Sequence, residues 1–162
     1  MLIACLGWGS LVWDPGELPV RREWFADGPL LPIEFAGRSG NGRVTLVLLD
    51  KAPAVRSLWA LMSISDLQAA KEALADREGM TSEVKTKYIG FWSGKLKSDG
   101  IAVGEIAEWA NGAGVDAVIW TALGPKFGNK FEYRSDLADE VIEHLHSLPH
   151  EKRQIAERYI RR

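Results

Sequence analysis

Two groups of residues in this chain have the types and spacing for chemistry, and they lie far apart along it. The first is Gly7-Trp8-Gly9-Ser10-Leu11. Two glycines let the backbone approach a ligand closely, and successive N–H groups in such a turn make a concavity that suits carboxylate or phosphate oxygens. The spacing matches neither a P-loop nor the G-x-G-x-x-G fingerprint, and Ser10 lacks the glycine two places on that a nucleophile elbow requires. A tight connection between packed elements fits the same residues. The second group centres on Glu78, which continues the stripe Leu67, Ala70, Leu74: separations of three, four and four residues keep side chains on one helical face. A carboxylate aimed at a core is costly unless it is paired or used. Burial beside a helix C-terminus disfavours the anion, which is the condition of a proton acceptor working near neutrality. An ion pair with Arg38, Arg43 or Lys87, or a frayed last turn open to solvent, fits the position as well.

The elements that must position these groups follow from the pattern around them. Residues 2–6 form a continuous apolar run of strand length, so the glycine loop follows a buried strand. Residues 30–36 and 43–49 are β-rich runs separated by Gly37, Gly40 and Asn41-Gly42, which predicts a hairpin with a slightly long loop. Residues 57–62 have no polar face, the mark of a central strand. Ser65 opens a capping box with Gln68, and the helix that follows runs to Gly79. Residues 83–92 alternate like a half-buried strand, 101–111 read as a helix after Asp99, and 115–123 form a strand stopped by Gly124-Pro125. A helix capped by Ser135 carries Leu137, Val141, Leu145 and Leu148 on one stripe and ends at Pro149, and a last amphipathic helix carries Ile155, Tyr159 and Ile160. The count reaches about six strands without the regular alternation of a Rossmann fold, so the fold class is α+β.

Length and composition bound the rest. A chain of 162 residues, 46% apolar and 26% charged, is expected to form one domain over 1–162, with C-terminal helices at about 135–162. Twenty Lys and Arg against 22 Asp and Glu give a net charge of −2, which offers no general attraction to phosphate backbones or anionic membranes, so any basic patch must be local. Cys5 is the single cysteine, which excludes an internal disulfide and a thiolate metal cluster and points to a reducing, cytoplasmic setting. The apolar opening, residues 1–11, has no basic residue before it and meets Asp14 soon after, the pattern of a first strand rather than of a membrane span or signal peptide.

Taken together, the motifs resemble a known group. The stretch Gly7-Trp8-Gly9-Ser10-Leu11-Val12-Trp13-Asp14-Pro15-Gly16 resembles the N-terminal loop of the gamma-glutamyl cyclotransferase-like superfamily, and most of all its ChaC-like branch. Arg77-Glu78-Gly79 resembles the segment in which that superfamily places its catalytic glutamate, and Asn129 and Tyr133 sit in a stretch similar to the Asn and Tyr that follow its last strand. The resemblance implies a small mixed β-barrel with flanking helices and a cavity at the loop after the first strand. It also implies conversion of a gamma-glutamyl compound to 5-oxoproline without metal or other cofactor. In that reading Glu78 takes the proton from the substrate's α-amine, while Gly7, Trp8, Gly9, Ser10, Leu11 and Tyr133 bind the substrate. Trp8 stands where the superfamily has Tyr; an indole keeps the aromatic wall and one donor but cannot accept a hydrogen bond. A non-catalytic module using the same cavity for a small ligand is therefore a second expectation.

The remaining clusters point elsewhere. Glu143, His144, His146 and His150 look like metal ligands, but positions 144 and 146 of a helix point about 160° apart, so no metal is expected. The tail from 150 to 162 carries Lys152, Arg153, Arg158, Arg161 and Arg162 against Glu151 and Glu157. Such a tail suits a solvated helix end better than a nucleic-acid site, and neither nucleic acid nor membrane is an expected partner. Cys5, in the apolar first strand, is expected to be an inert core thiol.

Overall fold

The computed structural model describes residues 1–80, 85–96, 98–127 and 132–162, Lys85 in its backbone only. In chain order the elements are β1 (Ile3–Gly7), α1 (Ser10–Trp13), β2 (Leu30–Leu31), β3 (Ile33–Arg38), β4 (Val44–Leu48), β5 (Val55–Arg56), β6 (Leu58–Leu61), α2 (Leu67–Arg77), β7 (Ile89–Ser93), α3 (Val103–Ala113), β8 (Ala117–Thr121), α4 (Leu137–Ser147) and α5 (His150–Ile160). The architecture is mixed α+β. Packing divides the chain into two compact units: Met1–Leu31 with Val55–Ala122, and Pro32–Ala54 with Leu123–Arg162.

The first unit holds a four-stranded sheet in the order β6-β1-β8-β7. β1 lies between β6, antiparallel, and β8, parallel, and all five of its residues are buried, which is why its sequence is apolar throughout. β7 completes the sheet antiparallel to β8. On the face carrying Ile3, Cys5 and Ile119 lies α2, through Ala70, Leu74 and Ala75. α2 starts one residue later than the capping-box reading: Asp66 is the N-cap, its carboxylate accepting from the Ala69 N–H at 2.7 Å, while Gln68 donates to Glu72 instead of reaching back. The helix ends at Glu78, followed by Gly79 at φ 71°, the left-handed turn that glycine adopts at least cost.

Several expectations change here. The strand at 57–62 is not central; β6 is an edge strand whose outer side is covered by residues 20–25. Arg21 and Phe25 donate to the carbonyls of Leu61 and Trp59 at 2.7 and 2.8 Å, so its apolar character reflects coverage by a loop. Of the strand expected at 83–92, residues 83 and 84 lie outside the described residues, 85–88 form a single 3-10 turn, and β7 begins only at Ile89. The described strands form one four-stranded and two two-stranded sheets, and none closes into a barrel because β6 and β7 remain edges.

The second unit pairs β3 with β4 as the expected hairpin, with a bulge between Phe35 and Gly37. Its core joins Ala36, Val44, Val47 and Leu49 to Phe127, Leu137 and Val141. α4 begins after Asp136 without a side-chain cap, so Ser135 does not play the expected part; Asp139 and Glu140 in the first turn complement the helix dipole instead. Arg153 of α5 closes the other end of α4, donating to the carbonyls of Leu145, His146 and Leu148 at 3.1, 2.6 and 3.2 Å. No described helix is long and apolar enough to cross a membrane.

Candidate functional site

Within the first unit, β1 delivers the chain into the glycine loop. Gly7 ends the strand under the indole of Trp24, and a Cβ at this position would collide with that ring, so the missing side chain serves packing. Gly9 adopts φ 57° and ψ −142°, a region that a side chain essentially forbids. This turn directs Ser10 into the single helical turn α1, where Leu11 is buried in the core and Val12 and Asp14 donate to the carbonyls of Gly9 and Ser10 at 3.1 and 2.8 Å. The first N–H groups of such a turn find no acceptor inside it. Trp8 and Ser10 are half-buried at this corner.

Helix α2 brings the second group to the same corner. Arg77 is the last helical residue and Glu78 its C-cap, and their side chains are only 13% and 19% exposed. The Arg77 guanidinium donates through Nη1 to Glu78 Oε1 at 2.7 Å and through Nη2 to the Asp14 carbonyl at 2.6 Å, with Ser10 Oγ at 3.4 Å from the same nitrogen. Among the described residues of the first unit, the partner of Glu78 is thus Arg77, and not Lys87. Neighbours on a helix do not face one another. Glu78 meets Arg77 because the helix has already stopped there, at φ −78° and ψ 1°. The sequence signals Arg77 only through its place beside Glu78 in the Arg77-Glu78-Gly79 segment.

Cys5 lies close to this pair. Burial pushes its thiol up to about 12, the negative charge of Glu78 adds to the rise, and Arg77 opposes it. A thiol held protonated is a packing group rather than a nucleophile. Tyr133 belongs to the second unit, where it is exposed and its N–H donates to the Asp50 carbonyl at 2.8 Å. Asn129 lies outside the described residues.

No group of three or more His, Cys, Asp or Glu among the described residues is placed to hold a metal ion. His144 instead bonds the Gly42 carbonyl through Nε2 at 2.7 Å and packs on Phe127, and His150 contacts Gln154. No family model, curated protein or solved structure matches the chain. Chemically, the described residues of the corner bring together the Glu78 carboxylate, which can move a proton, the Arg77 guanidinium and the Ser10 hydroxyl beside a glycine turn.

Proposed function

We propose that the chain is a gamma-glutamyl cyclotransferase-like enzyme in which the corner between the glycine loop and the end of α2 forms 5-oxoproline. One observation carries this reading: Arg77 bonds Glu78 on one side and the loop residues Ser10 and Asp14 on the other, joining groups 68 positions apart from Ser10 to Glu78. In the reaction the substrate's α-amine attacks its own γ-carbonyl carbon, the bond from that carbon to the departing amine breaks, and the five-membered lactam remains. Glu78 receives the proton that the attacking nitrogen loses and returns it to the leaving amine. Because ring closure is intramolecular, orientation of the glutamyl chain supplies much of the rate. Backbone N–H groups of Ser10 and Leu11 serve the α-carboxylate or the developing oxyanion.

The superfamily's β-barrel belongs to the same proposal. What supports it is a mixed sheet with a glycine loop leaving its β1 strand, although the described strands leave that sheet open. A cytoplasmic setting also belongs to it, resting on the single cysteine. A second reading, a binding module without turnover, is favoured by the ion pair itself, which occupies one oxygen of Glu78. Incubation of the purified protein with glutathione, a gamma-glutamyl amino acid and a gamma-glutamylamine, with 5-oxoproline as readout, separates the two. Glu78→Gln is expected to lower release by about 100-fold or more while keeping the fold. Release by the Gln variant at the wild-type rate would remove Glu78 from the chemistry, and ligand binding without any release would favour the second reading.

A further inference from the structure

The second unit contains a cavity of about 510 Å³ at the turn between β3 and β4, and its walls are cationic. Arg38 at the end of β3, Lys126, and Lys152 in the first turn of α5 line it together with His144, and among the described residues no Asp or Glu does. Among the described residues none of the three cations has an ion-pair partner. Arg43, the residue after the turn, stands outside the lining: its guanidinium lies 4.6 Å from the Tyr159 ring, and among the described residues its buried Nε meets no acceptor. Like charges gathered on one wall repel, and an anion between them relieves the repulsion.

The turn itself is built rather than loose. Ser39 receives from Gly42 and donates to the Asn41 carboxamide oxygen, Arg43 N–H reaches that same oxygen at 3.3 Å, and the Gly42 carbonyl is held by His144. These bonds use the oxygen of Asn41 and leave its NH₂ end as a donor beside the cations.

We propose that this cavity binds a phosphorylated small molecule. Three cations outnumber what one carboxylate would neutralise, whereas a phosphate monoester or diphosphate carries the charge and the several acceptor oxygens to meet Arg38, Lys126 and Lys152 together. The volume suits a ligand of metabolite size. A polymer is disfavoured because α4 also bears Asp139 and Glu143, which would repel a phosphate backbone running past the cavity.

The test uses the full chain and inorganic pyrophosphate as the probe, followed by calorimetry and by amide shifts. Saturable binding is expected, with shifts at residues 38–42, 126 and 152. Lys126→Gln and Lys152→Gln should each weaken it about tenfold or more, the loss of one hydrogen bond to a charged group. Lys152→Glu, which puts a negative charge on the same exposed wall, should abolish it, and unchanged circular dichroism and melting would show that each variant is folded. No binding at millimolar pyrophosphate, or binding that these variants leave unchanged, would overturn the proposal. Binding of citrate as tight as pyrophosphate, or binding of a single-stranded oligonucleotide or an anionic vesicle in place of pyrophosphate, would overturn it as well.

Discussion

Replacing Arg77 by Met removes a guanidinium that is 13% exposed and leaves the Glu78 carboxylate, 19% exposed, without its partner. Stranding a buried charge in this way costs roughly 3 to 5 kcal/mol, and because about a fifth of the Glu78 side chain still meets water the expected loss is near the lower end, about 3 kcal/mol. The Asp14 carbonyl, whose residue is exposed, is rehydrated and adds little. Glu78→Gln is a milder change, since the amide oxygen still accepts from Nη1 and Arg77 keeps the Asp14 carbonyl at 2.6 Å; about 1 to 2 kcal/mol is expected. The double variant removes both charges, so it should cost less than the sum of the two by about 1 to 2 kcal/mol. Urea denaturation followed by circular dichroism measures all three, valid where the slope stays constant, and the Met variant should melt about 6 to 12 °C lower. A cost under about 0.5 kcal/mol for Arg77→Met, the value of an ordinary surface pair, would refute the view that this ion pair ties α2 to the glycine loop.

Three further outcomes follow from the same corner. Gly7→Ala should cost about 1 to 3 kcal/mol in urea denaturation because its Cβ meets the Trp24 ring, and adding Trp24→Leu should recover part of the loss. The Cys5 thiol is raised from its ordinary 9.0 to about 12, so between those values the unfolded chain releases a proton that the folded chain keeps. Its contribution is therefore complete below pH 9 and is lost as pH rises toward 12, and Cys5→Ala should flatten the fall of stability over that range in alkaline melts. Under the proposed function, Trp8→Tyr should raise 5-oxoproline release from at least one gamma-glutamyl substrate, reaching tenfold if the added contact is worth about 1.4 kcal/mol; equal rates for every substrate would make Trp8 neutral filling.

The sequence made legible what depends on local pattern and left out what depends on distant neighbours. The apolar run of β1 and the Asn41-Gly42 turn placed a buried strand and a hairpin because each carries its signal within a few residues. Residues 57–62 have the same apolar signal as a central strand, yet coverage comes from residues 20–25, which no local pattern reveals. Ser65 and Asp66 are adjacent cap residues of similar propensity, and only the backbone at Asp66, φ −99° and ψ 123°, decides between them. At the candidate site the helical stripe singled out Glu78, but rules for helix interiors hide a contact between adjacent residues. Arg77 becomes its partner only past the last helical position.

That contact also bears on what Glu78 can do. The guanidinium that meets its carboxylate can act on the chemistry in two ways, through where it places Glu78 and through the positive charge it sets beside it. Arg77 is also the group that reaches Ser10 and Asp14, so it fixes where Glu78 stands relative to the loop. The two contributions separate by substitution. Arg77→Lys retains one positive charge but not the fork that spans Glu78 and the Asp14 carbonyl. If the guanidinium acts through position, 5-oxoproline release should fall in the Lys variant nearly as far as in Arg77→Met, with the pH profile of the residual activity little changed. If it acts through charge, the Lys variant should keep most of the rate and the Met variant should shift the profile. A Met variant that retains wild-type release with an unshifted profile, in protein shown to be folded, would leave Arg77 with a structural part alone.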